Sequence, residues 1–360
     1  MYCMKKWMII PFITTIVVAG CTESSNSGDG DLDPNAIAID AFVPKMQKGI
    51  DATTTSLASG ISIYAYKTGV AYTNTPFMNG TIFTKPANGY WTSSPVMYWP
   101  MYPLDFYGFY PKTVAPKNVS VPTKFSYTVA PDASDQFDVV TSFTGNQDRE
   151  LVQMKYHHAL SKINFKITAY ANSGLNVTVN GITMKNIPMS ADFEFNTSAT
   201  AVPNYFTVSN QAPVGPSTGN SLITPAQPVV VNASTADVSS DLITGMYLIP
   251  HKLVNWAYTD ANAYPLTGTY INIQGSLSGI TDYKGNIAIP IITSIWQPGY
   301  SYTYNIIFGN PNGGSGGGGY NPDNSTDGNK KPEQILMPIL VSVTVDEWVD
   351  ITPPVPPIDL

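Results

Sequence analysis

SKINFKIT, residues 161–168, sets Ile163, Phe165 and Ile167 on one side of an extended chain and Lys162, Asn164, Lys166 and Thr168 on the other. Successive strand side chains point to opposite faces, so a period of two marks a half-buried β-strand. The pattern recurs along the chain. Ile37, Ile39, Ala41 and Val43 alternate with Ala38, Asp40 and Phe42. Ile61, Ile63 and Ala65 alternate with Ser62, Tyr64 and Tyr66, and Leu104, Phe106 and Gly108 with Asp105, Tyr107 and Phe109. Near the end, Tyr300, Tyr302, Tyr304, Ile306 and Phe308 form one such run, and Ile339, Val341, Val343 and Val345 another. Glycine, proline and asparagine clusters separate these runs, and no stretch holds an apolar 3.6-residue period beyond about three turns. Short punctuated strands of this kind predict an all-β chain of sandwiches.

The first 20 residues read as an export signal: Lys5 and Lys6 precede the uncharged run Trp7–Ala19. That run is shorter than the about 20 residues of a spanning helix. It ends Val18-Ala19-Gly20-Cys21, which resembles the lipobox of bacterial lipoproteins. Cys21 is thus the expected lipidation site, held at the outer membrane. Cys3 would leave with the signal, and no cysteine would then remain to form a disulfide in the folded body. Residues 21–35 are too polar to fold and read as a tether.

Charged residues make up only 12% of the chain, against 43% apolar, so stability must come from buried cores. A formal net charge of -7 argues against nucleic acid or an anionic membrane surface as partner. Two domains are expected, 36–172 and 173–360, with the junction in TAYANSGLN (168–176). The glycine-rich stretch 309–331 reads as a flexible hairpin loop, and DITPPVPPIDL (350–360) as an extended tail.

Catalytic signatures do not emerge. His157 and His158 are strand neighbours facing opposite ways, and His251 stands apart, so each reads as structural. HExxH and GxSxG do not occur, and DNSTDG (323–328) lacks the ligand spacing of a calcium loop. The expectation is a non-enzyme without metal or cofactor. The aromatic stretch GYWTSSPVMYWPMYPLDFYGFYP (89–111) admits two uses. Its rings serve best as core and cross-strand partners. Trp91 and Trp99 are the glycan contacts if the stretch is instead a sugar platform.

Several segments, taken together, resemble the fimbrillin family. WTSSPVMYWPMYPLDFYGFYP (91–111) is similar to its Trp, Tyr-Trp-Pro turn and aromatic-Tyr-Pro strand. QFDVVTS (136–142) and LVQMKYHHALSKINFKI (151–167) are similar to its central segments, and WQPGYSYTYNIIF (296–308) and VSVTVDEWVD (341–350) to its last two strands. The resemblance implies two transthyretin-like β-sandwiches of about seven strands each, in a lipoprotein precursor of a type V pilus. It also implies assembly with other pilin subunits: an arginine-specific protease removes the lipidated tail and first strand, and a neighbour's C-terminal strand fills the groove. Here the exchangeable strand would be Ile37, Ile39, Ala41 and Val43, and the donor strand Ile339, Val341, Val343 and Val345.

In one respect the chain departs from this pattern. Its single arginine, Arg149, lies between expected strands of the first domain, and no arginine stands between Cys21 and Ile61. The basic residues available for processing there are Lys45 and Lys48. Two readings stay open: cutting near Lys45 frees the strand, or the strand stays and the protein is a lipid-held anchor or accessory subunit. The last strand likewise either donates to a neighbour or pairs within its own chain. The alternative function is a non-polymerising surface lipoprotein that captures glycans.

Overall fold

The computed structural model describes residues 33–42, 57, 59–73, 75–87, 89–199, 204–211, 219–232, 240–254, 268–279, 282–291, 295–309, 318–325 and 332–347. Cys21, Val43, Lys45, Lys48 and the proline-rich tail lie outside them. The chain opens with β1 (Ile39–Phe42), β2 (Ile61–Lys67), β3 (Met78–Thr84), β4 (Thr92–Ser93) and β5 (Leu104–Tyr110). There follow β6 (Lys124–Thr128), β7 (Val140–Gln147), β8 (Val152–Lys155) and β9 (His157–His158). Next come β10 (Ser161–Ala169), β11 (Asn176–Lys185), β12 (Ser190–Phe195), β13 (Phe206–Ser209), β14 (Asn220–Ile223) and β15 (Val229–Asn232). The remainder are β16 (Ser240–Leu248), β17 (Tyr270–Ser278), β18 (Tyr283–Pro290), β19 (Tyr300–Phe308), β20 (Gly318–Ser325) and β21 (Pro332–Glu347). The fold is all-β, as the alternation predicts. No helix among the described residues is long and apolar enough to cross a membrane.

The first sandwich sets a six-stranded sheet, β4-β3-β2-β5-β7-β9, against the parallel pair β1–β8. Ile61, Ile63 and Ala65 of β2 and Leu104 and Phe106 of β5 share a core with Ile39, Ala41, Val152 and Met154. The other face of β2 and β5 carries Tyr64, Tyr66, Tyr107 and Phe109, and these rings are buried too. Tyr66 packs on Tyr72, and over Tyr107 and Phe109 lies a three-stranded sheet, β13-β12-β6. It pairs a strand that leaves the first sandwich with two from the second half of the chain. Phe125 of β6 stacks on Phe193 of β12 (centroids 5.0 Å apart, planes within 6°), and Phe195 lies 6.0 Å from Tyr107 and from Phe109. The six-stranded sheet therefore has no wet face at its centre. Asp105 of β5 is buried with it, and its carboxylate accepts from Thr68 Oγ1, the Tyr72 hydroxyl and the Asn146 amide, each at 2.8 Å.

The second sandwich is one ten-stranded sheet: nine strands in the order β14-β11-β17-β18-β20-β21-β19-β10-β16, and β15, which also pairs with β11. Inward residues from its two ends meet in a common core: Val177, Ile182 and Ile273 with Ile163, Phe165, Tyr304 and Ile306. The long strand β21 joins the layers. Its first half pairs with β20 and its second half, Ile339–Glu347, with β19.

Three expectations are revised. Strand β10 belongs to the second sandwich, parallel to β19 and antiparallel to β16, so the change of sheet falls between His158 and Ser161 and not at 168–176. Because β10 has a neighbour on each side and cover on both faces, Lys162 and Asn164 are buried along with Ile163 and Phe165. The stretch 309–331 is not all loop, since Gly318–Ser325 forms β20. Glycine suits this strand for a steric reason: a Cβ on Gly319 would lie 2.5 Å from Ile287 Cγ2.

Candidate functional site

The first strand is a separate piece laid into a trough. Residues 36–41 alternate alanine and isoleucine up to Asp40, and Ile37, Ile39 and Ala41 are all but completely buried. Pairing with β8 fixes the register, Ile39 opposite Val152 and Ala41 opposite Met154. On that edge the Val152 amide donates to the Ala38 carbonyl (3.1 Å) and the Tyr156 amide to the Phe42 carbonyl (3.0 Å). The other edge is an antiparallel wall. Ile39 and Trp91 exchange amide-to-carbonyl bonds of 3.0 and 2.9 Å, Ile37 donates to Met97 (2.8 Å), and Trp99 donates to Asn35 (2.9 Å). Each inward isoleucine contributes about 1.5–3 kcal/mol of burial, and each backbone bond about 0.5–1.5 kcal/mol.

The trough carries two costs of its own. Trp91 Nε1 and the Tyr156 hydroxyl are buried and lack a hydrogen-bond partner among the described residues. Burial drives the Tyr156 hydroxyl far above its ordinary pKa of 10.0. Tyr156 fits only because residue 108 is glycine: a Cβ there would meet the Tyr156 hydroxyl at 2.2 Å.

The C-terminal strand lies elsewhere and already has a partner. Ile339, Val341, Val343 and Val345 run along β19, opposite Phe308, Ile306, Tyr304 and Tyr302. Ile339 is buried, Val341 and Val343 are half-buried against the core, and Val345 is 47% exposed. Along this half β21 pairs with β19 alone, so its second edge is unpaired among the described strands. Among the described residues stand an apolar trough, filled from within, and a strand of matching alternation whose second half has an unpaired edge. A family model of fimbrillin-like proteins matches residues 51–322, three quarters of the chain. The chain belongs to the fimbrillin-like family.

Membership places this fimbrillin-like protein among pilus and cell-adhesion subunits, which are structural and not enzymatic. Among curated proteins none matches the sequence. Solved structures give distant likenesses. A candidate cell adhesion protein of Bacteroides uniformis aligns at 14% identity and TM-score 0.44, over 88% of this chain and all of that one. A fimbrilin of Porphyromonas gingivalis aligns at 11% and 0.44, over 88% and 98%. The C-terminally truncated tip fimbrial protein Mfa3 of that organism aligns at 11% and 0.40, over 80% and 94%.

The remaining expected site residues fall out as follows. Trp91 is wholly buried in the first core, with Lys85 Nζ 4.4 Å from its ring centroid, so it presents no face to a sugar. Of the two uses the sequence admits for this stretch, Trp91 takes the core one, and the glycan alternative is dropped for it: the ring closes the wall of the β1 trough. Trp99 is half-buried, edge-on to Phe106 at 5.7 Å, and lines a surface cleft. Among the described residues no group of three or more His, Cys, Asp or Glu could hold a metal. His157 lies against Tyr205 (4.1 Å), and His158 Nδ1 is 2.7 Å from Asp138 Oδ2. The trough partners Val152, Met154 and Tyr156 went unread from sequence as a site. LVQMKY is marked in the sequence only as part of a segment similar to the family's, which does not name the neighbour it would accept.

His251 gives the fold a pH dependence. Its ring stands edge-on to Trp296 at 5.1 Å, and Nδ1–H donates to the Ile249 carbonyl at 2.8 Å. Burial pulls its pKa from 6.5 down to about 4. Between those values the unfolded chain binds a proton that the native state refuses, so stability falls as pH drops through that window. The expected loss is about 2–3 kcal/mol by pH ~4.5. Urea midpoints compared at neutral and acid pH should show it, and His251→Gln should remove that part of the slope.

Proposed function

We propose that this fimbrillin-like protein is a cell-surface pilus or adhesion subunit, lipidated at Cys21 for export to the outer membrane and assembled by strand donation. The observation that carries the reading is the seat of β1. A strand held by backbone bonds on both edges, over an apolar floor, can be replaced by any strand with the same alternation. Residues Ile339–Glu347 have that alternation in this chain. Donation requires β1 to leave one copy and the second half of β21 to leave β19 in another. A cut near Lys45 or Lys48 would separate β1 from the body, which gives a polymerising subunit. With β1 retained, the same protein is an anchor or accessory subunit.

The test is assembly at the cell surface. Denaturant-resistant multimers should form with the wild type and disappear when Val341, Val343 and Val345 are all changed to threonine. Val345→Asp separates assembly from folding, because Val345 is about half exposed in the monomer and lies outside the buried core. It should leave the monomer's circular dichroism unchanged and still weaken the multimers. Undiminished multimers in both variants would refute β21 as the donor. The first residue of the protein recovered from cells then distinguishes the two forms: acylated Cys21 marks the anchor, and a start near Gln47 or Gly49 the polymerising subunit.

A further inference from the structure

Where the chain enters β1 there is a cleft of about 240 Å³. Asp33 and Ala38 of the lead-in form one wall, Tyr90 and Trp99 a second, and the turn Arg149–Glu150 the third. We infer that this cleft binds a single neutral sugar ring, and that it exists only while the first strand keeps its seat. The inference is independent of strand donation, except that its coupling to β1 rests on the reading of β1 as a strand that can leave.

The cleft is smaller than the about 300–1,000 Å³ of sites for drug-sized ligands, which suits one ring and not a chain of them. Its aromatic wall is held rigid. Trp99 is braced edge-on by Phe106, and its amide donates to the Asn35 carbonyl at 2.9 Å. A fixed, half-buried indole beside a half-buried phenol offers flat apolar contact at little entropic cost.

The polar groups choose the ligand. The Asp33 carboxylate is oriented by accepting the Asn35 amide (2.9 Å) through Oδ1. Glu150 is exposed at the rim. Arg149, in the left-handed region at φ 53° and 56% exposed at its side chain, makes among the described residues a long contact with Asp148, Nε to Oδ1 3.9 Å. Two carboxylates and one guanidinium disfavour an anion, and the guanidinium disfavours a metal cation. Hydroxyl groups satisfy all three, donating to the carboxylates and accepting from the guanidinium. A neutral polyhydroxylated ring is the class that fits both walls.

The lead-in residues continue directly into Ile39, so loss of β1 removes one wall. A ligand that binds only the strand-in state lowers the strand-out population by the factor 1 + [L]/Kd. Sugar at ten times Kd should therefore slow hydrogen exchange at the Trp91 and Val152 amides about elevenfold. These two amides bond to the carbonyls of Ile39 and Ala38.

The probes are glucose, galactose, mannose, fucose and N-acetylglucosamine, each at about 10 mM, read by saturation-transfer NMR on the full mature protein. At least one should bind, with the signal lost in Trp99→Ala and in Glu150→Gln. Glu150 is exposed, so the second variant folds normally and guards against misfolding in the first. Binding should persist in Val345→Asp, so failure here is distinct from failure of donation. No binding by any probe, or binding untouched by both variants, overturns the site. Binding without slowed exchange overturns its coupling to β1.

Discussion

Replacing Ile39 with aspartate should empty the seat of β1. Truncation of a buried isoleucine costs about 2–5 kcal/mol, and a carboxylate left there without a partner costs several kcal/mol more. That total rivals the about 5–15 kcal/mol that holds a domain together. The cheaper outcome is for the strand to leave, since its neighbours Val152 and Trp91 belong to separate parts of the chain. Hydrogen exchange at the Trp91 and Val152 amides should rise to the level of exposed backbone, while the second sandwich keeps its protection. Asp40→Ala, one residue on and facing outward, should change stability by less than about 0.5 kcal/mol. A peptide with the sequence of residues 339–347, ILVSVTVDE, should restore protection to the Ile39→Asp protein if the trough accepts a donated strand. Trp91 protected as in the wild type, with no peptide added, would mean that β1 does not hold the first core closed.

Phe193→Ala should separate the two sandwiches thermodynamically. Phe193 and Phe125 are both fully buried and stacked, and Phe109 and Phe206 meet the pair edge-on at 6.0 and 6.4 Å. Removing one such ring costs about 3–5 kcal/mol. The loss falls on the only sheet among the described strands that pairs the first part of the chain with the second, β6 with β12. Calorimetry should then resolve two unfolding transitions where the wild type gives one, and Phe193→Leu should lie between. A single transition displaced by less than about 1 kcal/mol would mean that the aromatic stack does not join the units.

The sequence and the tertiary structure divide the molecule between them along a physical line. Alternation is written locally: the pleat sends successive side chains to opposite faces whatever the partner strand, so Ile37, Ile39 and Ala41, or Tyr302, Tyr304 and Ile306, could be assigned to a core from residue types alone. The absence of helical periodicity is legible in the same way, and so is family membership, carried by ordered motifs from Trp91 to Asp350. Pairing is not local. That β10 joins β16 and β19, that β20 arises within the glycine-rich stretch, and that Trp91 walls the β1 trough depend on segments tens to hundreds of residues apart. The bridging sheet is the clearest case. Lys124–Thr128, Ser190–Phe195 and Phe206–Ser209 do not stand out in the sequence as strands, and only their meeting sets Phe125 and Phe195 against the rings of β5. The candidate site obeys the same division. Sequence marked β1 as a strand that could stay or leave, but the depth of its seat, the two walls that hold it and the cleft at its entrance exist only once Ala36–Phe42, Trp91–Trp99 and Arg149–Tyr156 are brought together, because a groove is a property of neighbours and not of any one of them.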